Sequence, residues 1–149
     1  MKLKDQVLSI KQVQELQELG FDVDKYASMC WIAYTSDEPP YEKEYYISIL
    51  DEFCYEGSGL APIPTLTIGD IIDILPEVLD RPRIIHRNYY LFITKLAVSY
   101  SNRDRYDHEF IRYIETKNPN FHPFENKEGF IICLFEALKW CIKEKHIEL

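Results

Sequence analysis

The period of apolar and polar positions changes several times along the chain, and each change marks an element. From Ser9 onward, Ile10, Val13 and Gln17 recur on one helical face with Leu16 beside them. Ser9 has the side chain of an N-cap and Gly20 is the residue type that closes a helix in the left-handed region, so the pattern predicts a short amphipathic helix over 10–19. After a polar turn at Asp22–Lys25, the run Met29–Thr35 is dense in apolar and aromatic residues and fits a buried strand. Pro39 and Pro40 end that run within Ser36–Glu42, and Glu44–Leu50 resumes a strand composition. The two runs read as an antiparallel pair with a long acidic connection.

Gly57–Pro64 holds two glycines and two prolines and reads as an irregular loop. Thr67 then offers a cap, Asp70 stands at the capping-box position, and Ile68, Ile71, Ile72 and Leu75 form the apolar face of a second helix. Pro76 stops it, with a short turn expected through Leu79. Arg83–His86, Tyr89–Leu96 and Ala97–Ser101 are strand-like and together predict a β-meander. Phe110–Glu115 alternates in a way that suits a strand, while a helical turn from Asp107 fits the same residues. Asn118–Asn126 is rich in Asn and Pro and reads as a loop whose Asn126 caps a final helix over Glu128–Glu144. In that helix Ile131, Leu134, Leu138, Cys141 and Ile142 form one stripe, and Lys143, Lys145 and His146 oppose the negative end of its dipole.

Strands grouped between helices, rather than alternating with them, define an α+β class. The expected architecture is an antiparallel meander sheet packed against two or three helices, including N-terminal and C-terminal helices. At 149 residues the chain has the length of a single domain, 1–149. Its 46% apolar and 28% charged residues are ordinary globular usage, which excludes a disordered tail.

Charge narrows the choice of partners. The net charge of −8 opposes general nucleic-acid binding, because phosphates repel an acidic surface. The charge is uneven: residues 1–80 hold 5 basic and 16 acidic side chains, whereas residues 81–105 hold 6 basic and 1 acidic. Two readings of Arg81, Arg83, Arg87, Lys95, Arg103 and Arg105 stay open. Either they complement the acidic half within the fold, or some of them form a local anion-facing patch. No window approaches the length of an apolar membrane span, the first ten residues lack the continuous apolar stretch of a signal peptide, and a cytoplasmic location is expected.

Catalytic signals are sparse. Cys133 and Cys141 lie eight apart on the last helix, too far for a disulfide, and read as core; Cys30 and Cys54 lack the paired spacing of a zinc site. The histidines His86, His108, His122 and His146 match no metal pattern, and Gly57-Ser58-Gly59 lacks the context of a phosphate loop. Asp70 and Asp73 form either a carboxylate pair or a solvated face. No catalytic, cofactor or metal residues are therefore assigned, although an enzyme in which Cys30, Cys54, His86 or His108 meets a carboxylate in a cleft stays as an alternative.

Tyrosine is the unusual component, with 11 in the chain and adjacent pairs at Tyr45-Tyr46 and Tyr89-Tyr90 that send one ring to each face of a strand. Tyrosine with arginine is typical of protein-binding surfaces, so Arg81, Arg83, Arg87, Tyr89, Tyr90 and Arg103 are the candidate interaction patch. A host protein is the expected partner, nucleic acid is disfavoured, and homo-oligomerisation is open.

Three stretches, LSIKQVQELQELGFDVDKYASMCWI, TLTIGDIIDILPEVL and FEALKWCIKEKHI, resemble those of small uncharacterised phage and mobile-element proteins of Bacteroides-type gut bacteria. The resemblance implies a cytoplasmic accessory protein and carries over no catalytic residues. This chain is longer than many such proteins at Tyr34–Pro64 and Asn118–Asn126.

Overall fold

The computed structural model describes residues 2–51, 61–79, 88–103, 107–114 and 127–149. It is an α+β fold that divides into two compact units, Met1–Asp70 and Ile71–Leu149. Its strands form two sheets, of three and five strands, in place of the single sheet expected.

In the first unit, helix α1 (Ile10–Glu18) begins with the chemistry anticipated at Ser9. The Ser9 hydroxyl accepts from the Gln12 amide at 3.3 Å, and the Gln12 side chain accepts from the Ser9 amide at 2.9 Å. Each satisfies a donor that the first helical turn leaves open. At the other end Gly20 adopts φ 83°. This lets the Phe21 amide reach Leu16 O at 3.0 Å and the Gly20 amide reach Gln17 O at 2.9 Å, a paired C-terminal cap. The buried face of the helix is Val13 and Leu16.

Strand β1 (Met29–Thr35) pairs antiparallel with β2 (Lys43–Ile49) along seven residues, and on its other side with β3 (Ile63–Thr65). Ile63 and Pro64 are thus strand, not loop. Pro64 is tolerated because its missing N–H falls at a position that faces away from β1. The N-terminal segment is tied to this sheet at Leu8, whose carbonyl accepts from Trp31 Nε1 at 2.9 Å and from Thr65 Oγ1 at 2.8 Å, while its amide donates to Leu66 O at 2.9 Å just past β3. Val7, Leu8, Cys30, Ile32 and Leu66 are buried in this unit. Helix α2 (Ile68–Ile74) opens with Thr67 and Asp70 capping one another, at 2.8 and 3.1 Å. Asp70 also accepts from the Ser28 hydroxyl at 2.8 Å, so it is a half-buried structural cap, while Asp73 stands exposed on the same helix.

In the second unit β4 (Val78–Leu79), β5 (Tyr89–Ile93), β6 (Ala97–Ser101) and β7 (His108–Ile114) form the expected antiparallel meander. Val78–Leu79 is strand where a turn was expected. Strand β5 stops at Ile93, short of the predicted Leu96, because Thr94 closes a tight turn: its hydroxyl accepts from the Leu96 and Ala97 amides at 3.1 Å. Of the two readings of Phe110–Glu115, the strand is the one that forms, over the described residues to Ile114. The expected strand Arg83–His86 lies outside the described residues.

Strand β8 (Lys127–Glu128) joins β7 in parallel, and only then does helix α3 (Phe130–Lys143) begin, with Gly129 as its N-cap. Glu128 therefore belongs to the sheet and not to the helix, and Asn126 lies outside the described residues. The apolar face of α3 is wider than the stripe read from sequence, burying Cys133, Phe135 and Ala137 as well as Leu134, Leu138, Cys141 and Ile142. Helix α3 packs on β6 and β7, where the Trp140 ring centre lies 5.7 Å from that of Tyr100 and 5.5 Å from that of Phe110. Tilted contacts of this kind are favoured by ring quadrupoles. The helix ends as α1 does, except that the left-handed residue is Lys145, with φ 60°. No helix among the described residues is long and apolar enough to cross a membrane.

Candidate interaction surface

The largest exposed aromatic cluster among the described residues is on the β1–β2 hairpin of the first unit. Tyr34, Tyr41, Tyr45 and Tyr46 are 42%, 69%, 37% and 48% exposed. Burial fades along the hairpin: Cys30 is fully buried and Ile32 nearly so, while Tyr34 and Thr35 stand in solvent. No residue of β2 is buried.

The pairing register explains how both tyrosines of the 45–46 pair are presented. Tyr46 lies opposite Ile32 and shares a face with Tyr34 and Glu44; Tyr45 lies opposite Ala33 on the other face, with Lys43. On the first face the Tyr34 and Tyr46 rings are 5.7 Å apart, and the Tyr34 hydroxyl donates to the Glu44 carboxylate. That hydrogen bond raises the Tyr34 pKa, because ionising the phenol would discard it beside a carboxylate. On the second face the Lys43 ammonium sits 5.5 Å from the Tyr45 ring centre, a cation–π contact.

The hairpin also has an open edge. The Leu50 amide donates to Ser28 O and the Ser36 amide to Glu42 O, both at 3.1 Å, which fixes the even-numbered residues of β2 as those bonded to β1. The N–H and C=O groups of Lys43, Tyr45 and Ile47 consequently point outward, and no strand pairs with this edge of the sheet among the described residues. At the opposite edge, β3 is three residues long and its outward position is Pro64, which has no N–H to offer. One edge is closed by covalent chemistry; the other is left able to pair.

The patch read from sequence is divided by the structure. Tyr89 is buried, and its hydroxyl donates to Asp107 Oδ2 at 2.7 Å, so its ring is a core element and cannot meet a partner. Its neighbour Tyr90 is half-buried on the other face of β5, with the exposed Arg103 guanidinium 5.8 Å from its ring centre. Arg81, Arg83 and Arg87 lie outside the described residues. The patch omits the hairpin, although the Tyr45-Tyr46 pair carries the signal. What sequence does not supply is which strand faces remain uncovered.

Of the four residues named for an enzymatic reading, Cys30 and His108 are among the described residues. Cys30 is buried in the first unit; His108, in the second, is exposed and bonded through Nδ1 to Ser101, whose hydroxyl is buried and donates to Ser99. Cys54 and His86 lie outside the described residues. Burial pushes the Cys133 thiol up to about 12 and the Cys141 thiol up to about 11, which leaves both protonated and poorly nucleophilic at neutral pH. A shallow pocket of about 350 Å³ between β7 and α3 is lined by Glu109, Arg112, Glu136, Lys139, Trp140 and Lys143. Its charges alternate, with Lys139 paired to Glu136 at 3.0 Å, so no single sign accumulates there. Among the described residues no group of three or more His, Cys, Asp or Glu is placed to hold a metal ion.

Comparison of the chain with protein-family models, curated proteins and solved structures finds no match in any of the three.

Proposed function

We propose that this is a non-enzymatic interaction protein that engages a partner protein through the β1–β2 hairpin, serving as a cytoplasmic accessory protein of a phage or mobile element. The observation that supports the binding role is the hairpin's outer half, where four tyrosines stand in solvent beside a strand edge that no strand pairs with among the described residues. Rigid rings with polar tips lose little entropy on binding and bury a large area, so exposed tyrosine clusters suit recognition better than solvation. The phage or mobile-element setting rests on the three resembling stretches alone.

The test is capture of a partner from host lysate by the tagged chain, at low and moderate salt, beside the double substitution Tyr45→Ala and Tyr46→Ala. Both rings are exposed, so the melting temperature should move little. A partner retained by the original chain and lost by the variant supports the reading. Background-level capture by the original chain, or equal capture by both, refutes it.

A further inference from the structure

The outward edge of β2 defines what kind of segment would fit it. Lys43, Tyr45 and Ile47 present alternating backbone donors and acceptors, at strand spacing, to the same side. Side chains do not satisfy such a row; another extended backbone does, two residues at a time. The flanking rings add side-chain pockets of both parities, Tyr46 with Tyr34 on one face and Tyr45 on the other. An added strand would therefore be held by its main chain and read through alternate side chains.

Charge decides the chemistry of that strand. Between Ser36 and Asp51 the chain carries Asp37, Glu38, Glu42, Glu44 and Asp51 against the single cation Lys43. That lysine already shows how a cation is received here, resting over the Tyr45 ring. A second copy of this chain would bring its own five acids to the same edge, so like charge works against self-pairing, and phosphate backbones are repelled for the same reason. From the open edge, the rings and the acidic surround, we infer that β2 is a docking edge for an extended, lysine- or arginine-bearing segment of a partner protein, which adds to the sheet as a fourth strand beyond β2. This rests on the interaction reading above and specifies the partner's chemistry.

The experiment uses the full chain, isotopically labelled, and three synthetic peptides: one of alternating lysine and valine long enough to span β2, its glutamate–valine counterpart, and the lysine–valine peptide with N-methylated valines. Amide hydrogen exchange and chemical shifts at Tyr45 and Ile47 are read at fixed salt. The lysine–valine peptide should protect those two amides. The N-methylated form, which lacks the donors, should bind about tenfold or more weakly, and the glutamate form should not bind. Three results overturn the proposal: no protection at Tyr45 and Ile47, equal protection by the lysine and glutamate peptides, or protection without peptide that grows with protein concentration, which would make a second copy the occupant. If any of these is found while Tyr45→Ala with Tyr46→Ala still releases the lysate partner, the interaction reading stands and the strand-addition mode alone falls.

Discussion

Single residues in this protein are assigned their roles by what surrounds them more than by their type. Cys133 and Cys141 are identical chemically to any solvent-exposed thiol, yet burial holds both in the neutral form. The sign of the resulting pH dependence follows from the raised values. In the unfolded chain a thiol ionises near 9, so the stabilising preference for the neutral thiol is intact below that pH and is lost as pH rises toward 11 and 12. The melting temperature should fall across that alkaline window, and Cys141→Ala should flatten part of the fall when the two are compared by calorimetry. Native labelling with iodoacetamide at neutral pH should leave the peptides carrying Cys133 and Cys141 unmodified, with full reaction only in denaturant. Tyr89 shows the same dependence on surroundings. It resembles Tyr90 beside it in sequence, but the strand's alternation sends Tyr89 inward to Asp107. Tyr89→Phe removes that one hydrogen bond and should cost about 1 kcal/mol in urea unfolding, whereas Tyr89→Ala empties a core site and should cost about 3–5 kcal/mol.

At the scale of elements, helices α1 and α3 end alike with different residues, which sets up a paired test. Gly20 and Lys145 both occupy the left-handed region. Glycine does so without penalty, while a side chain there costs about 1 kcal/mol. Gly20→Ala should therefore destabilise by about that amount. Lys145→Gly should gain less, because it also removes a cation worth about 0.3–1 kcal/mol at a helix C-terminus. Urea titration of both variants checks the opposite signs. Helices α1 and α2 were readable in sequence for a local reason: Ser9, Gly20 and the Thr67–Asp70 pair act within one turn, so adjacent residues carry the information. Strand β1 was readable because six apolar and aromatic residues, Met29–Tyr34, run together. Strands β3, β4 and β8, of two or three residues, are too short to carry a period, and only their neighbours in space make them strands. The exposure of the hairpin was hidden for a related reason. A Tyr-Tyr pair predicts one ring per face but not whether either face is covered, which depends on elements distant in sequence.

Across the whole molecule the governing quantity is charge. The −8 net charge and the 16 acids within residues 1–80 create a field that would draw a basic segment before any contact forms. The association rate of the lysine–valine peptide should therefore drop steeply as salt shortens the screening length from about 30 Å at 0.01 M to about 10 Å at 0.1 M, while its dissociation rate changes little. Stopped-flow mixing across that range checks it, and a salt-independent association rate would exclude electrostatic steering. Filaments built from repeated edge pairing need every subunit to offer two compatible sides, one for the unit before and one for the unit after. Here Pro64 leaves the β3 side without its donor, so among the described residues this sheet has one side able to pair. Even at concentrations high enough to overcome charge repulsion, joining two copies through β2 would consume the open sides of both first-unit sheets at once, so these sheets would close on each other as a pair and would not extend.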